Sequence, residues 1–119
     1  MLVANILVVV VALLHLWFMV LEMFLWTKPL GRKTFGLTEA FAHESRSLAA
    51  NQGLYNGFLV AGLLWGVLLG EQGFPQKVFF LGCVIVAGIY GAATASKKIL
   101  WVQALPGAVA LAAVWLTHS

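Results

Sequence analysis

The chain has 119 residues, of which 62% are hydrophobic and only 9% are charged, with a formal net charge of +3. Soluble domains carry about 25% charged residues, so this composition excludes an ordinary water-soluble domain. The basic residues lie in short loops between apolar runs, a pattern that indicates membrane orientation and makes nucleic acid a poor candidate partner.

Four apolar runs are long enough to cross a lipid bilayer, since about 20 helical residues at about 1.5 Å each span the hydrocarbon core. They cover residues 2–26, 49–70, 75–95 and 99–117. The sequence therefore predicts an all-α fold, with residues 1–119 forming one integral membrane four-helix bundle. The first run has no Lys or Arg before residue 28 and carries His15 and Glu22 internally, so we interpret it as a retained span and not a signal peptide.

A hydrophilic segment, residues 27–47, separates the first two runs. Pro29, Gly31 and Gly36 interrupt its first half and predict a loop there. Thr38 suits a helix N-cap and Glu39 suits the first turn. We therefore expect the second helix to run from about residue 39 to 70 and to extend beyond the membrane into the cytoplasm.

Six of the seven basic residues fall in the loops on one predicted side of the membrane, and Lys77 alone falls on the other. By the positive-inside rule the basic side is cytoplasmic, which places both termini outside the cytoplasm. The same charges would also favour an anionic small molecule or a lipid headgroup, although the orientation signal alone explains them. The candidate contacts are Arg32, Lys33, Arg46, Lys97 and Lys98.

Small residues recur every four positions in three of the four runs. Such rows allow helix backbones to approach closely in lipid. Because four thin helices offer little interior of their own, some of these rows are predicted to serve a homo-oligomer. Examples are Gly53, Gly57 and Ala61; Gly62, Gly66 and Gly70; Gly88, Ala92 and Ser96; and Ala104, Ala108 and Ala112.

Polar residues of all four runs gather at one predicted depth, in the cytoplasmic half of the bundle. Ionisable groups inside a membrane are costly and usually face the protein interior, a partner or water. We therefore hypothesise a polar pocket, open to the cytoplasm, that binds a small or lipid-like ligand, with a proton shared between Glu22 and His15. The candidate ligand-binding residues are His15, Glu22, Asn51, Gln52, Tyr55, Asn56, Tyr90 and Gln103.

Each of these residues also has a purely structural explanation. Glu22 can reach Lys28 at the boundary, His15 can bond a neighbouring carbonyl, and Asn51 and Gln52 can cap the entry into the membrane. The sequence contains no ligand set with zinc spacing, no aspartate for a Ser–His–Asp triad and no phosphate-binding loop. It therefore predicts no metal site, and it leaves the cofactor and the catalytic residues unknown.

The stretches HLWFMVLEMFLW, FGL and NQGLYNGFL resemble a family of small bacterial membrane proteins of unknown function. The resemblance covers nearly the whole chain and implies four spans in a bacterial cytoplasmic membrane, but no activity. The matching residues are His15, Glu22, Trp26, Asn51, Gln52, Tyr55 and Asn56.

A weaker likeness is to the MAPEG membrane enzymes, which act on lipophilic substrates with glutathione. Arg46, Asn51 and the stretch FLVAGLL stand near the positions of an Arg, an Asn and an apolar motif in that family, but no matching Glu follows. Three functions stay open: a ligand-binding membrane module, which we favour, a small proton-coupled transporter, and a MAPEG-like enzyme.

Overall fold

The computed structural model describes residues 1–118, which are helical throughout apart from short turns. The predicted all-α class is confirmed. The five α-helices are α1 (Leu2–Met23), α2 (Pro29–Phe35), α3 (Glu39–Leu68), α4 (Phe74–Thr94) and α5 (Leu105–Thr117). A 3₁₀ turn, Gly70–Gly73, precedes α4, and a π-helical turn, Leu100–Ala104, precedes α5.

Helix α2 lies where the sequence predicts a loop, so the described chain has five α-helices and not four. Pro29 occupies the first helical turn, where its missing N–H costs nothing. Gly36 ends the helix in the left-handed conformation, with φ of 66°, and its N–H bonds the carbonyl of Arg32. The residues taken as helix breakers therefore start and stop a short helix.

The predicted start of the long helix at residue 39 is confirmed. The Thr38 hydroxyl accepts a hydrogen bond from the Phe41 N–H at 3.1 Å, which satisfies one of the free donors at the start of α3. The helix then continues for 30 residues to Leu68, close to the predicted end at 70.

Three helical segments are long and apolar enough to cross a membrane: Leu2–Met23, Gly70–Thr94 and Leu100–Thr117. They correspond to the first, third and fourth predicted spans. The second predicted span, within α3, is not among them. The reason is local, because Asn51, Gln52 and Asn56 dilute the apolar character of that helix.

The last predicted span contains a π-helical turn just before Pro106. Proline has no N–H and its ring crowds the carbonyl four residues earlier. Immediately before it, the Leu105 N–H bonds the carbonyl of Leu100, five residues back, which is the π-helical spacing. The chain therefore changes helix type over this one turn.

The described chain divides into two compact units. Unit 1 contains residues 1–13 and 61–118, and unit 2 contains residues 14–60. In unit 1, Leu63, Leu81 and Val84 are fully buried. In unit 2, Ala42, Ala49, Gly53 and Asn56 form one buried stripe along α3, at helical spacing.

Candidate functional site

The segment NQGLYNG, residues 51–57, presents two different faces. Gly53, Asn56 and Gly57 are buried or half-buried, at spacings of three and four that place them on one side of α3. Asn51, Gln52 and Tyr55 are exposed and occupy another side. The motif therefore combines an inward packing face with an outward polar face.

The packing face lies against the second half of α1. A Cβ added at Gly53 would lie 3.1 Å from both the Met19 carbonyl oxygen and the Glu22 Cβ. A Cβ added at Gly57 would lie 3.1 Å from the Met19 sulfur. Two glycines one turn apart thus let the backbones of α1 and α3 come close together, as small residues do between membrane helices.

This close approach brings Asn56 to Glu22. Asn56 is only 4% exposed, and its Nδ2 donates a hydrogen bond to Oε1 of Glu22. Two residues predicted as site candidates are therefore direct partners. An amide can donate to a carboxylate and accept from a carboxylic acid, so Asn56 suits either protonation state of Glu22.

On the outward face, Asn51 Nδ2 donates to the Tyr55 hydroxyl at 3.3 Å, one helical turn away. Tyr55 is 51% exposed, and its ring centroid lies 6.0 Å from that of Phe58. Gln52 is exposed beside them. We call Asn51, Gln52 and Tyr55 the amide patch.

His15 is fully buried, with 0% exposure, and its ring meets the edge of Phe18 at a centroid distance of 5.6 Å. It lies seven residues before Glu22 on α1, a rise of about 10 Å along the helix. Glu22 takes its hydrogen bond from α3. A proton shared between His15 and Glu22 stays a prediction.

Tyr90 and Gln103 belong to unit 1, whereas the other candidate ligand-binding residues belong to unit 2. Tyr90 is 70% exposed on α4, and Gln103 is half-buried in the π-helical turn. Their membership of one pocket with Glu22 and the amide patch stays a prediction.

Among the predicted anion contacts of unit 2, Arg32 is half-buried, and its Nε has no hydrogen-bond partner among the described residues. Lys33 is exposed. Arg46 is exposed, with an Nη1 that lies 3.3 Å from Nδ1 of His43. In unit 1, Lys97 and Lys98 are both exposed.

Two further features bear on where a cofactor or a partner could bind. Within residues 1–118, no three His, Cys, Asp or Glu side chains come together as metal ligands. Arg46 and Asn51, on which the MAPEG likeness depends, each contact another side chain of α3, His43 and Tyr55 respectively.

A tryptophan contact joins α2 and α3 to the turn after α1. Trp26 Nε1 donates to the Ser45 hydroxyl at 3.0 Å, and its ring lies 5.0 Å from that of Phe35. Ser45 in turn donates to the Phe41 carbonyl at 2.6 Å. Trp26 is one of the residues that carry the family resemblance, but the sequence gave no sign of these partners.

A second polar cluster, in unit 1, escapes the sequence prediction. Lys77 is only 4% exposed, and its Nζ donates to Asn5 Oδ1 at 2.8 Å and to the Gly70 carbonyl at 3.5 Å. The sequence gave one signal for this cluster, which is that Asn5 and Lys77 fall on the same predicted side of the membrane. Asn5 lies in the predicted outer half of the bundle, which is almost wholly apolar, and Lys77 is the only Lys or Arg of that side.

Comparison with known proteins gives one family and one curated relative. The family model for a protein of unknown function, DUF1304, matches residues 9–115. An uncharacterized protein from Lactococcus lactis, YpaA, is 29% identical over 100 residues, which cover 82% of this chain and 84% of that protein. No solved structure matches the chain significantly. The match along residues 9–115 places the chain in the DUF1304 family, whose function is unknown.

Proposed function

We propose that this chain is a small membrane protein that binds the polar group of a small or lipid-like ligand at the amide patch of α3. The Glu22–Asn56 pair supports the patch, because it holds α3 against α1 one turn away. In this proposal α3 is a fourth span, and its early turns project into the cytoplasm.

The observation that carries the proposal is the exposure of Asn51, Gln52 and Tyr55 between apolar neighbours. Leu54 and Phe58 are exposed on the same part of α3. An amide without a partner in an apolar environment costs about 2–7 kcal/mol by transfer estimates. If α3 lies in the membrane, something polar has to cover the patch.

The chemistry of the patch suits a neutral or weakly polar group with both donors and acceptors. Each amide offers an oxygen with two lone pairs and an NH₂ with two hydrogens. Asn51 uses one hydrogen toward Tyr55, which leaves its oxygen and the whole Gln52 amide for a ligand. The half-buried Arg32 is a candidate contact for an anionic part of the same ligand.

The test is native mass spectrometry of the full chain in mild detergent, after incubation with a total polar lipid extract and, separately, a metabolite extract. The variant is Asn51→Ala with Gln52→Ala. Ser47→Ala is the matched control, because Ser47 is also polar and exposed on α3, four residues before the patch.

We expect the native chain and the Ser47→Ala control to retain a bound molecule that the double variant loses. Equal retention by all three chains would contradict a ligand site at the patch. A ligand-free assembly of several copies that falls apart only in the double variant would mean that the patch joins copies of the chain.

The orientation and the homo-oligomer belong to the same proposal, with residues 27–47 cytoplasmic, both termini outside and the bacterial inner membrane as the location. Cys83 is the one cysteine of the sequence, so labelling is done in a Cys83→Ala background. There, Ser47→Cys should react with an impermeant thiol reagent only from the cytoplasmic side. Gln72→Cys should react only from the other side. Reversed labelling would overturn the orientation, and the spectra above give the number of copies.

A proton-coupled transporter is the second candidate, and the complete burial of His15 on the same helix as Glu22 favours it. Vesicles that contain the protein and a pH-sensitive dye would then acidify when the metabolite extract is added outside. His15→Phe should abolish that signal while leaving ligand retention at the amide patch unchanged.

A further inference from the structure

Lys77 in unit 1 borders a small cavity at the start of α4. The cavity has a volume of about 100 Å³. Since one water molecule occupies about 30 Å³ of liquid, this space accepts a group the size of a carboxylate or a phosphate. Its lining includes Ala4, Glu71, Phe74, Lys77, Thr117 and His118.

In the described chain, both hydrogen-bond acceptors of the Lys77 ammonium are neutral groups. These are the side-chain oxygen of Asn5 and the backbone oxygen of Gly70. An ammonium has three donors, and buried charges are normally paired with an opposite charge. A buried lysine with neutral acceptors beside a cavity is therefore suited to an oxyanion that enters the cavity.

Glu71 narrows the class of ligand. Glu71 belongs to the same lining, and it is exposed at the 3₁₀ turn before α4. A ligand with several negative charges would be repelled by Glu71, whereas a ligand with one oxyanion and a nearby ammonium would find an opposite charge for each.

The surroundings match the depth of a lipid headgroup. Lys77 lies in the first turn of α4, at one end of the membrane-length segment Gly70–Thr94. The ring of Phe74 lies 5.6 Å from that of Trp115, in the last turns of α5, and tryptophan favours the boundary between lipid and water. Phe74 also stacks on His118 at a centroid distance of 3.6 Å, which forms an aromatic wall.

We propose that this cavity binds a zwitterionic group in which one oxyanion contacts Lys77 and an adjacent ammonium faces Glu71. This chemistry is shared by an ethanolamine phospholipid and by soluble phosphoethanolamine compounds. The site is independent of the amide patch, which lies in unit 2.

The test compares dioleoyl phosphatidylethanolamine with dioleoyl phosphatidylglycerol on the full chain, by titration in native mass spectrometry. Loss of one charge-assisted hydrogen bond weakens binding by about tenfold or more. We therefore expect Lys77→Met to reduce retention of the ethanolamine lipid by about that factor. Lys28→Met, the same change at an exposed lysine that is not among the candidate headgroup contacts, should alter it less than about twofold. Equal effects of the two changes would overturn the proposal.

Glu71→Gln provides a second test that does not depend on a buried residue. It should lower the ratio of bound ethanolamine lipid to bound glycerol lipid, because only the former carries an ammonium. An unchanged ratio would overturn the pairing with Glu71, even if Lys77→Met fails to fold. Competition by soluble glycerophosphoethanolamine would support a soluble zwitterion as ligand, and failure to compete while the lipid stays bound would support the intact lipid.

Discussion

Gly88 on α4 lies so close to Ala104 that an added Cβ would stand 2.6 Å from the Ala104 backbone nitrogen and 2.9 Å from its Cα. Backbone atoms cannot move aside as a flexible side chain can. Gly88→Ala should therefore force α4 away from the π-helical turn and lower the free energy of unfolding by about 1–3 kcal/mol, the usual cost of overpacking.

Gly82 is the matched control on the same helix, because a Cβ there meets no atom of the described chain within 4 Å. Gly82→Ala should be neutral or stabilise the protein by up to about 1 kcal/mol, through better helix propensity. Thermal unfolding of both variants in the same detergent checks the pair. Similar behaviour of the two would show that α4 and the π-helical turn are not in close contact.

Asn56→Ala should destabilise the α1–α3 packing, because it leaves the half-buried Glu22 carboxyl without its donor. We expect a loss of about 1–3 kcal/mol in the free energy of unfolding. Asn51→Ala removes the same type of side chain from the exposed face, and its effect should stay below about 0.5 kcal/mol. The Glu22→Leu and Asn56→Ala double variant should lose less than the sum of the single changes, because each change removes the same hydrogen bond. Additive losses would argue against a direct bond.

Trp26→Phe keeps an aromatic ring against Phe35 but removes the Nε1 donor to Ser45. We expect a loss of about 0.5–1.5 kcal/mol, the net contribution of one hydrogen bond. Trp101→Phe, at an exposed tryptophan, is the control and should cause a smaller change. In a Ser45→Ala background the Trp26→Phe effect should largely disappear; an undiminished effect would assign it to packing alone.

Gly36→Ala tests the end of α2. A non-glycine residue at a φ of 66° is disfavoured by about 1–2 kcal/mol. Since no atom of the described chain lies within 4 Å of a Cβ at this position, steric contact contributes nothing, and the cost is conformational. The melting temperature should fall for Gly36→Ala and recover in part for Gly36→Asn, which tolerates the left-handed region better. Equal melting temperatures for all three chains would exclude a left-handed Gly36.

Local chemistry in the sequence is sufficient to predict part of this fold. Thr38 and Glu39 predict the start of α3, because capping depends on neighbouring residues only. The length and composition of the apolar runs predict the three membrane-length segments. The same local reasoning fails for α2. Proline and glycine interrupt helices, but proline also suits the first turn of a helix and glycine its C-terminal cap. Pro29 and Gly36 are therefore equally compatible with a loop and with a short helix between them.

The candidate site shows where such reasoning stops. Depth along the helices brought Glu22 and Asn56 to one level, and the structure joins them by a hydrogen bond. Which polar residues of α3 face α1 depends on the rotation of the helix about its axis, and that is set by packing. The bond from Lys77 to Asn5 joins residues 72 positions apart, so no local pattern reveals it.

The two faces of residues 51–57 also fix the rotation of α3 against α1. A turn of about 100°, one residue, would replace Gly53 and Asn56 with Gln52 and Tyr55 on the contact face. Those side chains cannot occupy a gap in which even a Cβ meets the Met19 carbonyl at 3.1 Å. The gap at Gly53 and Gly57 is too small for the side chains that any other rotation would place there, and the observed rotation allows the hydrogen bond from Asn56 to Glu22. These two effects together fix the rotation of α3 about its axis.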